Sequence, residues 1–259
     1  MNFNKKETQE FFKDLFSPLD WSKTDKKFYN EHIHDKILLS DSEKVTFHNI
    51  MIEESQEYYF KGLLSYLEAI TGIKNKLYSW SVVKLYYSLF YLARAEMANN
   101  KKVFVRHMRQ LYFYDEGKFE KCKNSNDHEM TFEEIPNNDY LRSNAIVVDG
   151  DEVSVFNLIK NLRECANYQS KSFFEPEIPA DISNYFCDVT DIRGELNFVV
   201  NNFEETVFQQ EYTAIAVPLY KIHLLKNEGC SNLPSEKRKF LEDNFDLFEY
   251  VICDSSFLY

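Results

Sequence analysis

Residues 77–98, LYSWSVVKLYYSLFYLARAEMA, are apolar almost all the way round a helical projection. At about 100° per residue the polar relief is one narrow stripe of Ser81, Lys84 and Ser88. A helix of this kind must be covered on several sides. It lies at the centre of a bundle, or part of its surface is covered by another chain. The ladder Tyr86, Tyr87, Phe90 and Tyr91 is first of all core, and stacking on nucleobases is the alternative use of the same rings.

Two further segments share this periodicity. Residues 44–71 place Phe47, Met51, Tyr58 and Leu67 at helical spacing, and Gly72 is expected to stop that helix. Residues 153–170, VSVFNLIKNLRECANYQS, gather Val155, Leu158, Ile159, Leu162, Cys165 and Ala166 on one stripe. Arg163 and Asn167 share a flank of it with Phe156. Tyr168 projects near the opposite side, among Asn157, Asn161 and Glu164, where a large aromatic needs a cover from this chain or from a partner. Tyr86, Tyr87, Phe90, Tyr91 and Tyr168 are therefore the candidate interface residues.

Between the helical blocks the pattern changes. KKVFVRHMRQLYFYDEGKFEKC (101–122) alternates around the turn signal Asp115-Glu116-Gly117-Lys118 and predicts a β-hairpin. NAIVVDGDEVSVF (144–156) predicts a strand, an Asp-Gly turn and entry to the third helix. Upstream, KETQEFFKDLF (6–16) predicts a short amphipathic helix closed by Ser17-Pro18. The polar segment after it holds His32 and His34 at strand spacing, too sparse a set for a metal site. Downstream, PADISNYFCDVTDI reads as helical with Pro179 near its start. YTAIAVPLYKIHLL (212–225) reads as β-rich, with Pro218 at an edge or break. SEKRKFLEDNF (235–245) reads as a helix capped by Ser235, and FEYVICDSSFLY as a terminal strand.

The expected fold is mainly α with some β. Residues 1–43 form an N-terminal helix and extended segment, 44–99 with 153–205 a helical bundle, 100–152 a β-bearing insertion, and 206–259 a mixed C-terminal extension. Six glycines and six prolines suit a helical chain, and 23 Phe with 17 Tyr supply a large core. The formal charge of −12 opposes a phosphate backbone at long range, so nucleic acid is expected only indirectly or through a partner. The lysines of KNKLYSWSVVK and NNKKVFVRHMR are the only candidates for a local basic patch, and exposed lysines of this kind are usually just solvated. Five scattered cysteines without a CxxC pair predict reduced, buried thiols in a cytoplasmic protein. No leader and no membrane span is expected, and no cofactor or metal.

WSVVKLYYSLFYLARAEM resembles the second-helix signature of HEPN-type proteins: a paired tyrosine, an aromatic, then small residues with an arginine. LRECANY resembles their later motif, an arginine followed by a small residue, Asp or Asn, and tyrosine. The two occur in the right order behind a long helix, over about 44–98 and 153–170, under a third of the chain. The resemblance implies an up-and-down helical bundle, frequently dimeric through the motif helices, in bacterial antiphage, toxin–antitoxin or RNA-processing systems. Catalytic members cut RNA without metal. Their arginine stabilises the transferring phosphoryl group, and a histidine about five positions on moves the proton of the 2′-hydroxyl.

Arg163 matches that arginine, but Tyr168 stands where the histidine would, and a phenol with a pKa near 10 is a poor base at neutral pH. The leading expectation is a non-catalytic accessory or assembly subunit of a bacterial defence complex. The alternative is a metal-independent ribonuclease using Arg163, Asn167 and Tyr168. An unrelated hydrolase would need a motif such as HExxH, GxSxG or a P-loop, and none occurs. The plainest role for Arg163 is a helix-flank residue paired with a carboxylate or a terminal carbonyl.

Overall fold

A computed structural model describes residues 6–15, 36–107, 110–135, 139–148, 150–169 and 191–252. The chain is mainly helical with a small antiparallel sheet. It divides into two compact units, residues 1–57 with 94–134, and residues 58–93 with 135–259. Helices α2 (Asp41–Lys74) and α3 (Tyr78–Asn99) contribute residues to both. Among the described residues no helix is long and apolar enough to cross a membrane.

The first unit is built on strands β1 (Lys36–Leu38), β2 (Val103–His107), β3 (Gln110–Asp115) and β4 (Lys118–Lys121), in the order β1-β4-β3-β2. The expected hairpin is thus three strands, with β1 added by the segment before α2. The turn between β3 and β4 has positive φ at Glu116 (47°) and Gly117 (85°), the twist that a two-residue antiparallel connection prefers. Register Val103↔Tyr114 and Val105↔Tyr112 puts one set of side chains on one face. There they join Phe119, Phe47, Met51 and Phe12 of α1 (Glu7–Asp14) in one core. Phe104 and Leu111 point the other way, to Met97 of α3 and to Met130 of α4 (Asp127–Glu133). A sheet covered on both faces explains why VFV and LYFY are apolar without a break.

The outer edge of β2 is closed by side chains. Gln9 donates to the Arg106 carbonyl and accepts the Arg106 N–H at 2.7 Å, as a neighbouring strand would. The buried Arg94, the arginine of the second-helix signature, donates to the Phe104 carbonyl at 3.4 Å. An edge covered in this way offers no template to another chain.

In the second unit, α2 and α3 form an antiparallel hairpin. Ser88 of α3 donates to the Gly62 carbonyl at 2.8 Å, and a Cβ on Gly62 would sit 2.7 Å from Leu92. Gly72 does not end α2, contrary to expectation. The helix continues to Lys74 and closes with Leu77 N–H on the Gly72 carbonyl, while Lys76 takes the left-handed conformation (φ 61°). The expected polar stripe of α3 is also corrected. Ser81 and Ser88 are buried, whereas Trp80 is 56% exposed and Lys84, Tyr87 and Tyr91 are half-buried.

Among the described residues this unit further contains α5 (Tyr140–Ser143), the hairpin of β5 (Ile146–Val148) and β6 (Asp151–Val153), and α6 (Val155–Glu164). Then come α7 (Ile192–Asn201), α8 (Phe203–Thr206), α9 (Gln210–Asn227), α10 (Ser235–Asn244) and α11 (Phe248–Ile252). Residues 212–225 are therefore helix, not strand. Pro218 lies inside α9, and a short apolar run does not by itself separate strand from helix. Burial around nearly the whole circumference of α9 outweighs a proline penalty of about 3 kcal/mol. Ser235 is the first residue of α10 rather than its cap, which is Pro234. Residues 248–252 are helical where a strand was expected. The expectations for Ser17-Pro18, His32, His34 and 179–190 lie outside the described residues.

Candidate functional site

Ser154 starts α6 by accepting the Asn157 N–H at 3.2 Å. From there Val155, Phe156, Leu158, Ile159 and Leu162 are buried, so the apolar stripe is as expected and Phe156 joins it. After Glu164 the backbone changes. Cys165–Gln169 form a π turn, a rare form that recurs at functional sites. Angular positions projected at α-helical spacing no longer apply there, which removes the basis for setting Tyr168 opposite the stripe. Asn167 is exposed on this turn, and the side chain of Tyr168 lies outside the described residues.

Arg163, half-buried in the last α-helical turn, places its guanidinium 5.0 Å from the centroid of the Tyr86 ring on α3. Tyr86 meets Tyr87 edge-on at 5.5 Å. Tyr87 stacks on Tyr91 at 6.1 Å, and Tyr91 on Tyr58 of α2 at 6.4 Å. Lys61 closes the series 5.4 Å above the Tyr58 ring. Four tyrosine rings thus run from one cation to another, each cation held by a π face. Burial, then the neighbouring Tyr87 and Tyr58, raises the Tyr91 phenol above its ordinary pKa.

The candidate interface residues divide. Tyr86 and Phe90 are buried at 3% and 6% exposure, whereas Tyr87 and Tyr91 reach the surface. Arg163 and Tyr86 are brought together by α6 and α3, a pairing the sequence reading did not make. The only signal for it was that both residues belong to the two resembling motifs.

Metal-free phosphoryl transfer needs a general base beside any arginine that stabilises the developing charge. No histidine occurs in α6 or the π turn. His48 is bonded to the Tyr114 hydroxyl at 2.9 Å in the first unit, where burial and then Lys101 and Lys44 lower its pKa. His223 is buried against Phe203 at 5.4 Å. Among the described residues no group of three or more His, Cys, Asp or Glu could hold a metal ion. Cys122 and Cys230 are buried and Cys165 is half-buried, while Cys187 and Cys253 lie outside the described residues. Comparisons with protein-family models, curated proteins and solved structures return no match to this chain.

Proposed function

We propose that this chain is a non-catalytic, HEPN-like assembly subunit of a bacterial defence complex, working beside partners that process nucleic acid. The observation that carries the reading is the engagement of Arg163 by Tyr86 in a helix that supplies no histidine. A cation–π contact of about 0.5–2 kcal/mol holds the arginine in the fold, which is a structural use of the motif. A protonated phenol in the histidine's place forfeits most of the roughly hundred- to ten-thousand-fold gain from general acid–base help. The charge of −12 weighs against capture of RNA by the chain alone. The bacterial-defence setting comes from the motif resemblance.

The π turn favours one second reading, a metal-independent ribonuclease with Arg163, Asn167 and Tyr168 around that turn. Arg163→Ala and Tyr168→Phe separate the two. For a subunit, Arg163→Ala lowers stability or assembly, Tyr168→Phe is mild, and neither changes RNA or DNA cleavage from background, with or without magnesium. Metal-free RNA cutting abolished by both substitutions in folded protein establishes the ribonuclease instead.

A further inference from the structure

In the first unit, groups from α2, the end of α3 and the sheet converge at the turn between β3 and β4. The buried Tyr114 of β3 holds its hydroxyl 2.9 Å from His48 Nε2 on α2. The Gly117 N–H approaches the same oxygen as a donor. The phenol hydrogen then goes to His48 Nε2, and neutral His48 carries its proton on Nδ1, away from Tyr114. Lys44, one helical turn before His48, lays its side chain across the turn. A Cβ on Gly117 would overlap Lys44 Cε and sit 3.3 Å from its Nζ. Lys101 arrives from the end of α3, two positions before Val103, the cross-strand partner of Tyr114. Burial first, then Lys101 and Lys44, lowers the His48 pKa, so both ammonium groups stand close enough to oppose its charge.

Lys101 occupies a costly position. Its φ is 58°, and it closes α3, its N–H bonding the Ala98 carbonyl and that of Lys102 the Met97 carbonyl. Glycine is the ordinary residue at a left-handed cap, because a Cβ there is strained. A lysine held in its place points to a use for the side chain. Among the described residues that side chain makes no ion pair and no hydrogen bond. The carboxylates of the surrounding segments are turned elsewhere: Asp115 meets Lys102 at 3.6 Å, and the exposed Asp41 meets Lys44 at 3.1 Å. Glu116, in the turn itself, makes no ion pair among the described residues. Two ammonium groups and an imidazole thus face one another in a chain of formal charge −12.

We propose that Lys101, Lys44 and the Nδ1–H of His48 form a binding site for a small phosphate-type oxyanion, either inorganic phosphate or the phosphate of a simple monoester. Two ammonium groups and one ring N–H suit an anion with at least three free oxygens, and a dianion balances the two lysines. The bulk charge does not forbid this. Salt screens charges more than about 8–10 Å away, so a small ligand meets the local cations, whereas a polyanion meets the whole acidic surface. A bound anion also favours the imidazolium, so anion binding and protonation of His48 promote each other. The site lies outside the two resembling motifs and stands or falls independently of the assembly reading.

The test follows the His48 imidazole signals of the full chain by NMR, identified by their loss in His48→Gln. Phosphate is titrated in, with sodium chloride at matched ionic strength as the control. A saturable shift with phosphate and none with chloride is expected. Lys101→Gly relieves the left-handed cap and so keeps the fold, which circular dichroism checks. By calorimetry it should bind phosphate at least about tenfold more weakly, having lost one charged contact. Sulfate remains a dianion from neutral to mildly acid pH, so its pH dependence reports the protein alone. Wild type should bind it at least about tenfold more tightly below the His48 transition than above it, and His48→Gln should lose that dependence. Glycerol phosphate, run beside phosphate, tells a monoester ligand from the free ion, and binding of either supports the site. His48 signals that respond to phosphate only as they do to chloride overturn the proposal. So does a folded Lys101→Gly variant that binds like wild type, or wild-type sulfate binding that ignores pH.

Discussion

Lys221 is a fully buried cation, and its neutralisation makes a quantitative prediction about the second unit. Its Nζ lies 2.7 Å from Asp139 Oδ2, with the two side chains 0% and 9% exposed. The other Asp139 oxygen accepts the Leu141 N–H at 2.9 Å, capping α5. Asp139→Ala removes the counter-charge and the cap together. Stranding one member of a buried pair costs about 3–5 kcal/mol, and a lost N-cap about 1 kcal/mol more. The expected loss is therefore about 4–6 kcal/mol, a large share of the roughly 5–15 kcal/mol that holds a typical domain folded. Replacing the pair, Lys221→Met with Asp139→Ser, keeps a cap and removes the cation along with this carboxylate, so most of the loss should return. Urea unfolding followed by Trp80 fluorescence in a Trp21→Phe background reports on the unit that contains Trp80. A loss under about 1 kcal/mol for Asp139→Ala, with unchanged urea sensitivity, would refute this reasoning.

Three smaller effects are expected. A double-mutant cycle of Arg163→Ala and Tyr86→Leu should give a coupling of about 0.5–2 kcal/mol, and additive losses would mean the guanidinium does not use the ring. Gly62→Ala should destabilise by about 1–3 kcal/mol despite its better helix propensity, since its Cβ would press on the buried Leu92, and a more stable variant refutes the close approach. Asp246 is bonded to Lys74 and Arg193, which hold its carboxyl below its ordinary pKa. Its stabilisation, under about 1 kcal/mol at this exposed site, is present above the unfolded pKa and is lost as pH falls through the folded one. Asp246→Asn should remove that part of the acid sensitivity, as read from unfolding midpoints between neutral and acid pH.

Helices α2, α3 and α6 and both hairpin turns were legible because periodicity and positive-φ signals are local. What the sequence hid depends on distant partners. Ser81 and Ser88 look like a solvent stripe until each hydroxyl is seen to bond a backbone carbonyl, one within α3 and one across the hairpin. Trp80, Tyr87 and Tyr91 look like core until the helices beside α3 are placed. Lys221 gave no hint of burial, since its partner is 82 positions away. Pro218 and the β-branched residues of α9 pointed to strand, and tertiary burial overrode them. At the candidate site the arginine was legible and its setting was not. The register change at Cys165 has no periodic signature, and the stacking of Arg163 on Tyr86 joins segments 77 positions apart.

The most direct test of the functional reading is single-turnover cleavage of end-labelled RNA by excess purified protein in a metal chelator, at neutral pH and moderate salt. The expected result is a rate equal to that of RNA alone, for wild type and for Arg163→Ala alike. A wild-type rate at least about a hundredfold above that background, lost in a folded Arg163→Ala variant, would contradict it and place Arg163 at a working catalytic centre.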